Sequence, residues 1–434
     1  GCATMTNPTT GFKQHPLRER LHNEVHARPP NALVPPVEIC HLAFLSARDN
    51  SSIELRHLQR LAASFGVTGP QEGTNHFAAD LGPLRVNFER HTEFSRYTFI
   101  AKSNGSPPFQ TPVLDLLPAG WLAEAAGEVI AAIDVARVQG DLPENLDTIS
   151  ETYFDGETVI ASMVGSGAAA AFTDFRLRDN DRSRILIHDL AMTPRQAGRI
   201  TQRLLEIETY RMMALLALRL AQALRPFLEE SERTLAKLTS SMEHGDHDED
   251  PRLLEQLTAL EVAVQGRLAD SQYRLSAAAA YYDIVERRIV ELREQRLTGF
   301  QTFREFVERR LVPAMSTCVS VSASGQQLSE RIARATNLLS TRVEVSREAQ
   351  NRALLASVAR RAKLQLRLQQ TVEGLSVAAI TYYIVGLVGY FAKALASAGL
   401  AISPDLLTGL SVPVVLFLVA FGITRIRNWL SRGS

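Results

Sequence analysis

Ser376-Val-Ala-Ala-Ile-Thr-Tyr-Tyr-Ile-Val-Gly-Leu-Val-Gly-Tyr-Phe-Ala-Lys-Ala-Leu395 decides how the rest of this 434-residue chain is read. It carries no charge before Lys393 and has about the 20 residues needed to cross a bilayer core of roughly 30 Å. A transmembrane helix is therefore predicted over 375–396. A second apolar run, Leu406 to Ile423, predicts another over 406–424, and Pro413 inside it is tolerable in lipid. A buried hairpin of a soluble protein would be expected to show a polar face, and neither run has one.

Lys and Arg set the expected orientation. Arg360, Arg361, Lys363 and Arg367 precede the first span, Arg425, Arg427 and Arg432 follow the second, and the connecting loop 397–405 has no basic residue. Both ends are thus expected in the cytoplasm and the loop outside. From Arg342 to the end, eleven Lys/Arg stand against four Asp/Glu, within a chain whose 47 basic and 47 acidic residues cancel. This basic quarter suits anionic membrane lipid as a partner, and the rest of the chain is not basic enough for a nucleic-acid surface. Cys2, Cys40 and Cys318 form no pairing framework, which fits a reducing compartment. Gly1-Cys-Ala-Thr before Met5 reads as a cloning remnant, and residues 1–14 as a disordered start. No secretory signal is visible in the polar stretch Thr6 to Arg20, so the soluble part is expected in the cytoplasm.

Upstream of the first span, a stalk helix is predicted over 313–374. Leu328, Ile332, Ala335, Leu339, Val343, Ser346, Gln350 and Ala353 recur by fours and threes, a coiled-coil type of seam that Ser346 and Gln350 make wetter. Continued into the span, this helix would run about 80 residues, on the order of 120 Å. Ahead of it, Thr193-Pro194 opens a long helix that passes Pro226 to about Met242. After a charged break the pattern resumes from Leu253 to about Leu297, and a short helix follows over 300–311. Residues 193–312 thus read as an antiparallel helical hairpin.

The segment 15–192 is mixed. A short helix is expected before Pro29-Pro30 and another over Ser51 to Phe65, capped near Asn50. Trp121 to Ala126 is also read as helical. Strands are read at 37–45, 84–90, 97–101, 128–138, 158–164, 168–177 and 184–190. The fold class is an α+β cytoplasmic domain followed by the hairpin, the stalk and two transmembrane helices.

This order resembles the CorA family of divalent-cation transporters, and Arg425-Ile-Arg427-Asn-Trp429-Leu430 looks like that family's basic C-terminal tail. The resemblance implies a homo-oligomer, a pentamer in that family, around a pore lined by the stalk and first span. It also implies a ring of Arg425 and Arg427 near an acidic hairpin tip, here Asp246, Asp248, Glu249 and Asp250. The family's Gly-Met-Asn at the outer end of the first span is replaced by Gly389-Tyr390-Phe391. His22-Asn-Glu-Val-His-Ala-Arg-Pro-Pro30 and Arg90-His-Thr-Glu-Phe-Ser-Arg-Tyr-Thr-Phe99 resemble the hallmark segments of the bacterial membrane family called domain of unknown function 3422. That resemblance runs from His15 to the C-terminus and implies no activity.

Chemistry is sparse. His22 and His26 lie one helical turn apart and would share a divalent metal only with help from Glu24, His91 or Glu93; the alternative is a set of hydrogen bonds that fixes the N-terminal segment. Tyr382, Gly386, Gly389 and Lys393 share a face of the first span, with Thr381 and Tyr390 beside it, and this face either lines a pore or packs through its glycines. No nucleotide loop, nucleophile with a placed base or metalloprotease motif is present, so no enzyme is expected and no cofactor beyond that metal. The expected function is ion transport, a metal cation first, across the bacterial inner membrane. The alternative is a non-conducting membrane-anchored scaffold or sensor with a cytoplasmic ligand-binding domain.

Overall fold

The structure, a computed structural model, describes residues 15–18, 32–46, 50–245, 247–397 and 403–430. Two compact units are present: Gly1–Gly245 with Glu255–Thr336, and Asp246–Leu254 with Asn337–Ser434.

The first unit is built on one nine-stranded sheet. Its strands are β1 (Val37–Leu45), β2 (His76–Asp80), β3 (Arg85–Arg90), β4 (Phe94–Lys102), β5 (Glu128–Gln139), β6 (Ile160–Val164), β7 (Ala169–Thr173), β8 (Ser183–Asp189) and β9 (Gln295–Arg296). They lie in the order β2-β3-β4-β1-β5-β8-β7-β6-β9, and only β5 and β8 run parallel. The expected strands are present. β2 was not anticipated, since His-Phe-Ala-Ala-Asp is too short and mixed to signal itself, and an edge position tolerates this.

Alternation along β1, β3 and β4 sorts their side chains between two faces. Cys40, Leu42, Val86, Phe88, Tyr97 and Phe99 form a core with Leu58 and Leu61 of α1 (Ser51–Ser64). Asn50 precedes α1 but makes no side-chain cap, in contrast to the expectation; its backbone is already helical, which takes the side chain away from the first free N–H groups. Trp121 to Ala126 holds only a single 3-10 turn, Leu122–Glu124. Trp121 is instead drawn into the core, where its indole donates to the His57 carbonyl at 3.2 Å. A second core gathers Phe154, Phe172 and Leu186 with Ile149 of the short helix α2 (Asp147–Tyr153).

Helix α3 (Pro194–His244) starts as the sequence predicts, with Thr193 accepting from the Gln196 N–H, and it continues through Pro226. Its first turns bury Ala197, Ile200, Leu204 and Ile207 in the first unit. Helix α4 (Asp250–Leu292) follows, and β9 then pairs with β6. Helix α5 (Phe303–Arg310) opens on a capping box between Thr302 and Glu305. Helix α6 is unbroken from Val312 to Ser397. In the first unit Gly325 of α6 leaves room for Leu268 of α4, which a Cβ would strike. The seam of α6 is buried at Leu328, Ile332, Leu339 and Val343, but Gln350 and Ala353 are exposed.

In the second unit Asp250 is 2% exposed and pairs with Arg342 of α6. Of the expected acidic tip, Asp248 and Glu249 are exposed, while Asp250 is spent on that ion pair. Asp246 lies outside the described residues. Helix α7 (Pro404–Leu430) carries Pro413 and extends through Arg425 and Arg427, so the basic tail is helical. Two helices are long and apolar enough to cross a membrane, and no part of the apolar window of α7 is buried inside the chain.

Candidate functional site

The opposite face of β1 to β4 is polar. Arg85, Asn87 and Glu89 of β3, Arg96 and Thr98 of β4, and His41 of β1 point away from the core of aromatic residues. Register places His41, Thr98 and Asn87 in one row across three strands and Arg96 beside Glu89 in the next. Thr201 and Gln202 of α3 close over them, and the space between is a cavity of about 220 Å³. Leu33, Ile39, Ile100 and Leu205 supply its apolar wall.

Most of these polar groups are committed. His41 is 1% exposed, with Nδ1 at 2.8 Å from the Thr98 hydroxyl and Nε2 at 3.2 Å from that of Thr209. Thr209 donates its proton to the Leu205 carbonyl, so it must accept from Nε2–H, and Nδ1 accepts from Thr98. The ring is neutral, because burial, helped by the charges of Arg96 and His91, lowers its pKa to about 3. Arg96 donates to Glu89 through Nε and Nη2, at 3.1 and 2.6 Å, and through Nη1 to Glu206 of α3 at 3.3 Å. Burial works against the Arg96 charge, but the two carboxylates more than offset it and hold its pKa above that of an ordinary arginine. Glu206 also accepts from Arg288 of α4 and from Gln202. Burial alone would raise the Glu206 pKa, and Arg96 and Arg288 hold it below the usual carboxylate range.

Among the described residues, two buried atoms in the cavity have no partner: the Asn87 Oδ1 and the hydroxyl of Thr201, a residue 2% exposed. An unpaired buried polar group costs about 1–3 kcal/mol. A sheet serving only as scaffold would present apolar residues to α3, as its other face does to α1.

The hallmark stretch 90–99 ties the sheet to three helices. Arg90 donates to Glu54 of α1 at 2.8 Å, Glu93 accepts from Arg274 at 2.5 Å and from the Tyr281 hydroxyl at 2.5 Å on α4, and Arg96 reaches Glu206 on α3. His91 stacks on Phe94, 4.4 Å between ring centres. Glu93 therefore serves α4 and is not placed with His91 as a ligand pair. No cluster of three metal-ligating side chains occurs among the described residues. His22, Glu24 and His26 lie outside them.

On the first apolar helix the predicted residues divide. Thr381 is 6% exposed, whereas Tyr382, Gly386 and Tyr390 are open. Gly389 packs on α7, where an added Cβ would meet the Thr408 hydroxyl at 3.2 Å. Gly386, Gly389, Tyr390 and Lys393 share a cleft with Asp405 and Thr408 of α7. Arg425 is exposed. Nothing in the sequence marks out His41, Asn87, Thr201 or Glu206; Arg96 lies within the hallmark stretch 90–99, and the density of charge in the alternating stretch 85–96 is explained equally well by a surface strand.

The model of the family described as "Protein of unknown function (DUF3422)" matches residues 13–430, nearly the whole chain. No curated protein matches it.

Proposed function

The chain belongs to the DUF3422 family, and we propose that it is a bacterial inner-membrane sensor whose α+β unit takes up a small molecule on the polar face of its sheet. The observation that carries this reading is the unpaired Thr201 hydroxyl and Asn87 carbonyl inside a cavity of about 220 Å³. The two apolar helices anchor the chain in lipid, and basic residues flanking them support cytoplasmic termini. The wiring from Arg96 through Glu206 to Arg288 gives a bound molecule a route to the long helices. The test is native mass spectrometry of the full chain extracted in mild detergent. A small-molecule adduct is expected that Thr201→Val loses. If the chain carries no adduct and no metabolite library shifts its melting temperature, the reading fails.

Ion transport by a homo-oligomer of CorA layout, five copies in that family, is the second reading. It is favoured by Tyr382, Gly386 and Lys393, which are open on the single chain and are available to line a shared path. Cation and anion flux in proteoliposomes tests it, and images with no axial path through assembled copies count against it.

A further inference from the structure

We infer that the cavity receives a free amino acid with an apolar side chain, an assignment that rests on reading the cavity as a ligand site. Among the described residues, the buried polar atoms left without a partner there are oxygens, and the open donor is the Arg85 guanidinium at the rim. Asn87 Oδ1 and Thr201 Oγ1 have no partner, and both bonds from Arg96 to Glu89 fall on Oε2, so Oε1 takes neither. Asn87 Oδ1 and a carboxylate oxygen can only accept, and a hydroxyl accepts as readily as it donates. A primary ammonium, with three donors and no acceptor, is the complement of that set.

Charge narrows the class further. Glu89, Glu206 and Glu291 are linked to Arg96, Arg288 and Arg203, three carboxylates against three guanidinium groups. Arg85 at the rim adds a fourth guanidinium, so a bare ammonium would enter this surround with its charge uncompensated. A zwitterion brings its own counter-charge. Arg85, exposed at the rim and two residues from Asn87 on the same face of β3, stands about 7 Å away along the strand and reaches the carboxylate. Leu33, Ile39, Ile100 and Leu205 then take the apolar side chain. The volume suffices: a dry cavity of about 150 Å³ accepts benzene, and this one is larger.

The experiment is calorimetric titration of the detergent-solubilised full chain with leucine, isoleucine, methionine and phenylalanine one at a time, and with the half-molecules 3-methylbutylamine and isovalerate. At least one amino acid is expected to bind ten times or more tighter than either half-molecule. Thr201→Val should weaken it about tenfold, the scale of one hydrogen bond to a charged group, with no drop in the melting temperature of the empty protein. Arg85→Gln should weaken the amino acid and leave the amine unchanged. The proposal is overturned if no amino acid binds, if a half-molecule binds as tightly, or if Thr201→Val binds as the parent does. Should a different co-purified molecule be lost from Thr201→Val, the sensor reading stands and the amino acid is excluded; if neither is found, both fall.

Discussion

Arg96 of β4 donates through Nη1 to Glu206 of α3 at 3.3 Å, and both residues are almost wholly withdrawn from solvent, at 7% and 4% exposed. The same guanidinium holds Glu89, and the same carboxylate holds Arg288, so sheet, α3 and α4 are joined through one buried line of charge.

Arg96→Met removes the centre of that line and leaves two buried carboxylates with less compensation. A loss of about 3–5 kcal/mol is expected, read from urea or thermal unfolding of the solubilised chain. Adding Glu206→Gln should restore part of it, because the second stranded charge is then gone. A single-variant loss below about 1 kcal/mol would mean that the carboxylates reach water.

Acid stability should show two opposed contributions. Burial, with help from Arg96 and His91, lowers His41 from 6.5 to about 3, so the unfolded chain binds a proton the native chain refuses, and stability falls as pH drops from about 6.5 toward 3. Burial, opposed by the Phe109 backbone and aided by Asp134, raises Glu38 from 4.5 to about 7. The native chain then holds a proton the unfolded one releases, so the Glu38 contribution is full below about 4.5 and is lost as pH rises to 7. Each slope is at most about 1.4 kcal/mol per pH unit, less for the partly exposed Glu38, and they oppose one another where the two windows overlap, from 4.5 to 6.5. Glu38→Gln should unmask a fall in stability on acidification from pH 6.5 that the parent shows only below about 4.5.

Gly389 and Gly386 should respond differently to the same substitution. Gly389→Leu drives a side chain into Thr408 and is expected to cost about 1–3 kcal/mol in the pairing of α6 and α7. Gly386, with nothing within 4 Å of its Cβ position, should tolerate leucine. Melting temperature and monodispersity in detergent compare the two, and equal behaviour would place the Gly389 contact elsewhere.

Glu93→Ala strips Arg274 and Tyr281 of their shared acceptor. About 2 kcal/mol of stability should be lost, with faster proteolysis within α4. The metal content of the purified protein should not change. A drop in bound metal with no loss of stability would return Glu93 to a ligand role.

The helical half is legible in the sequence, because its signals are local. Thr193-Pro194 marks its own helix start, and the seam through Leu328, Ile332 and Leu339 announces a buried stripe by spacing alone. The site was not legible. Arg96 and Glu89 read as ordinary strand charges, Thr201 as one helix residue among many, and nothing near Asp250 told of its pairing with Arg342.

What the sequence by itself determined is the presence of two apolar helices, a long hairpin and an alternating β segment, since periodicity and unbroken apolar runs involve only neighbours in the chain. Tertiary structure alone decided which strand face turns to α3 and what it meets there. β1 must lie between β4 and β5, and Arg96 must find a carboxylate 110 positions away, before the polar row becomes a cavity. Burial then converts those charges from solvated surface groups into a fixed network, because once water is excluded they can be balanced only by one another.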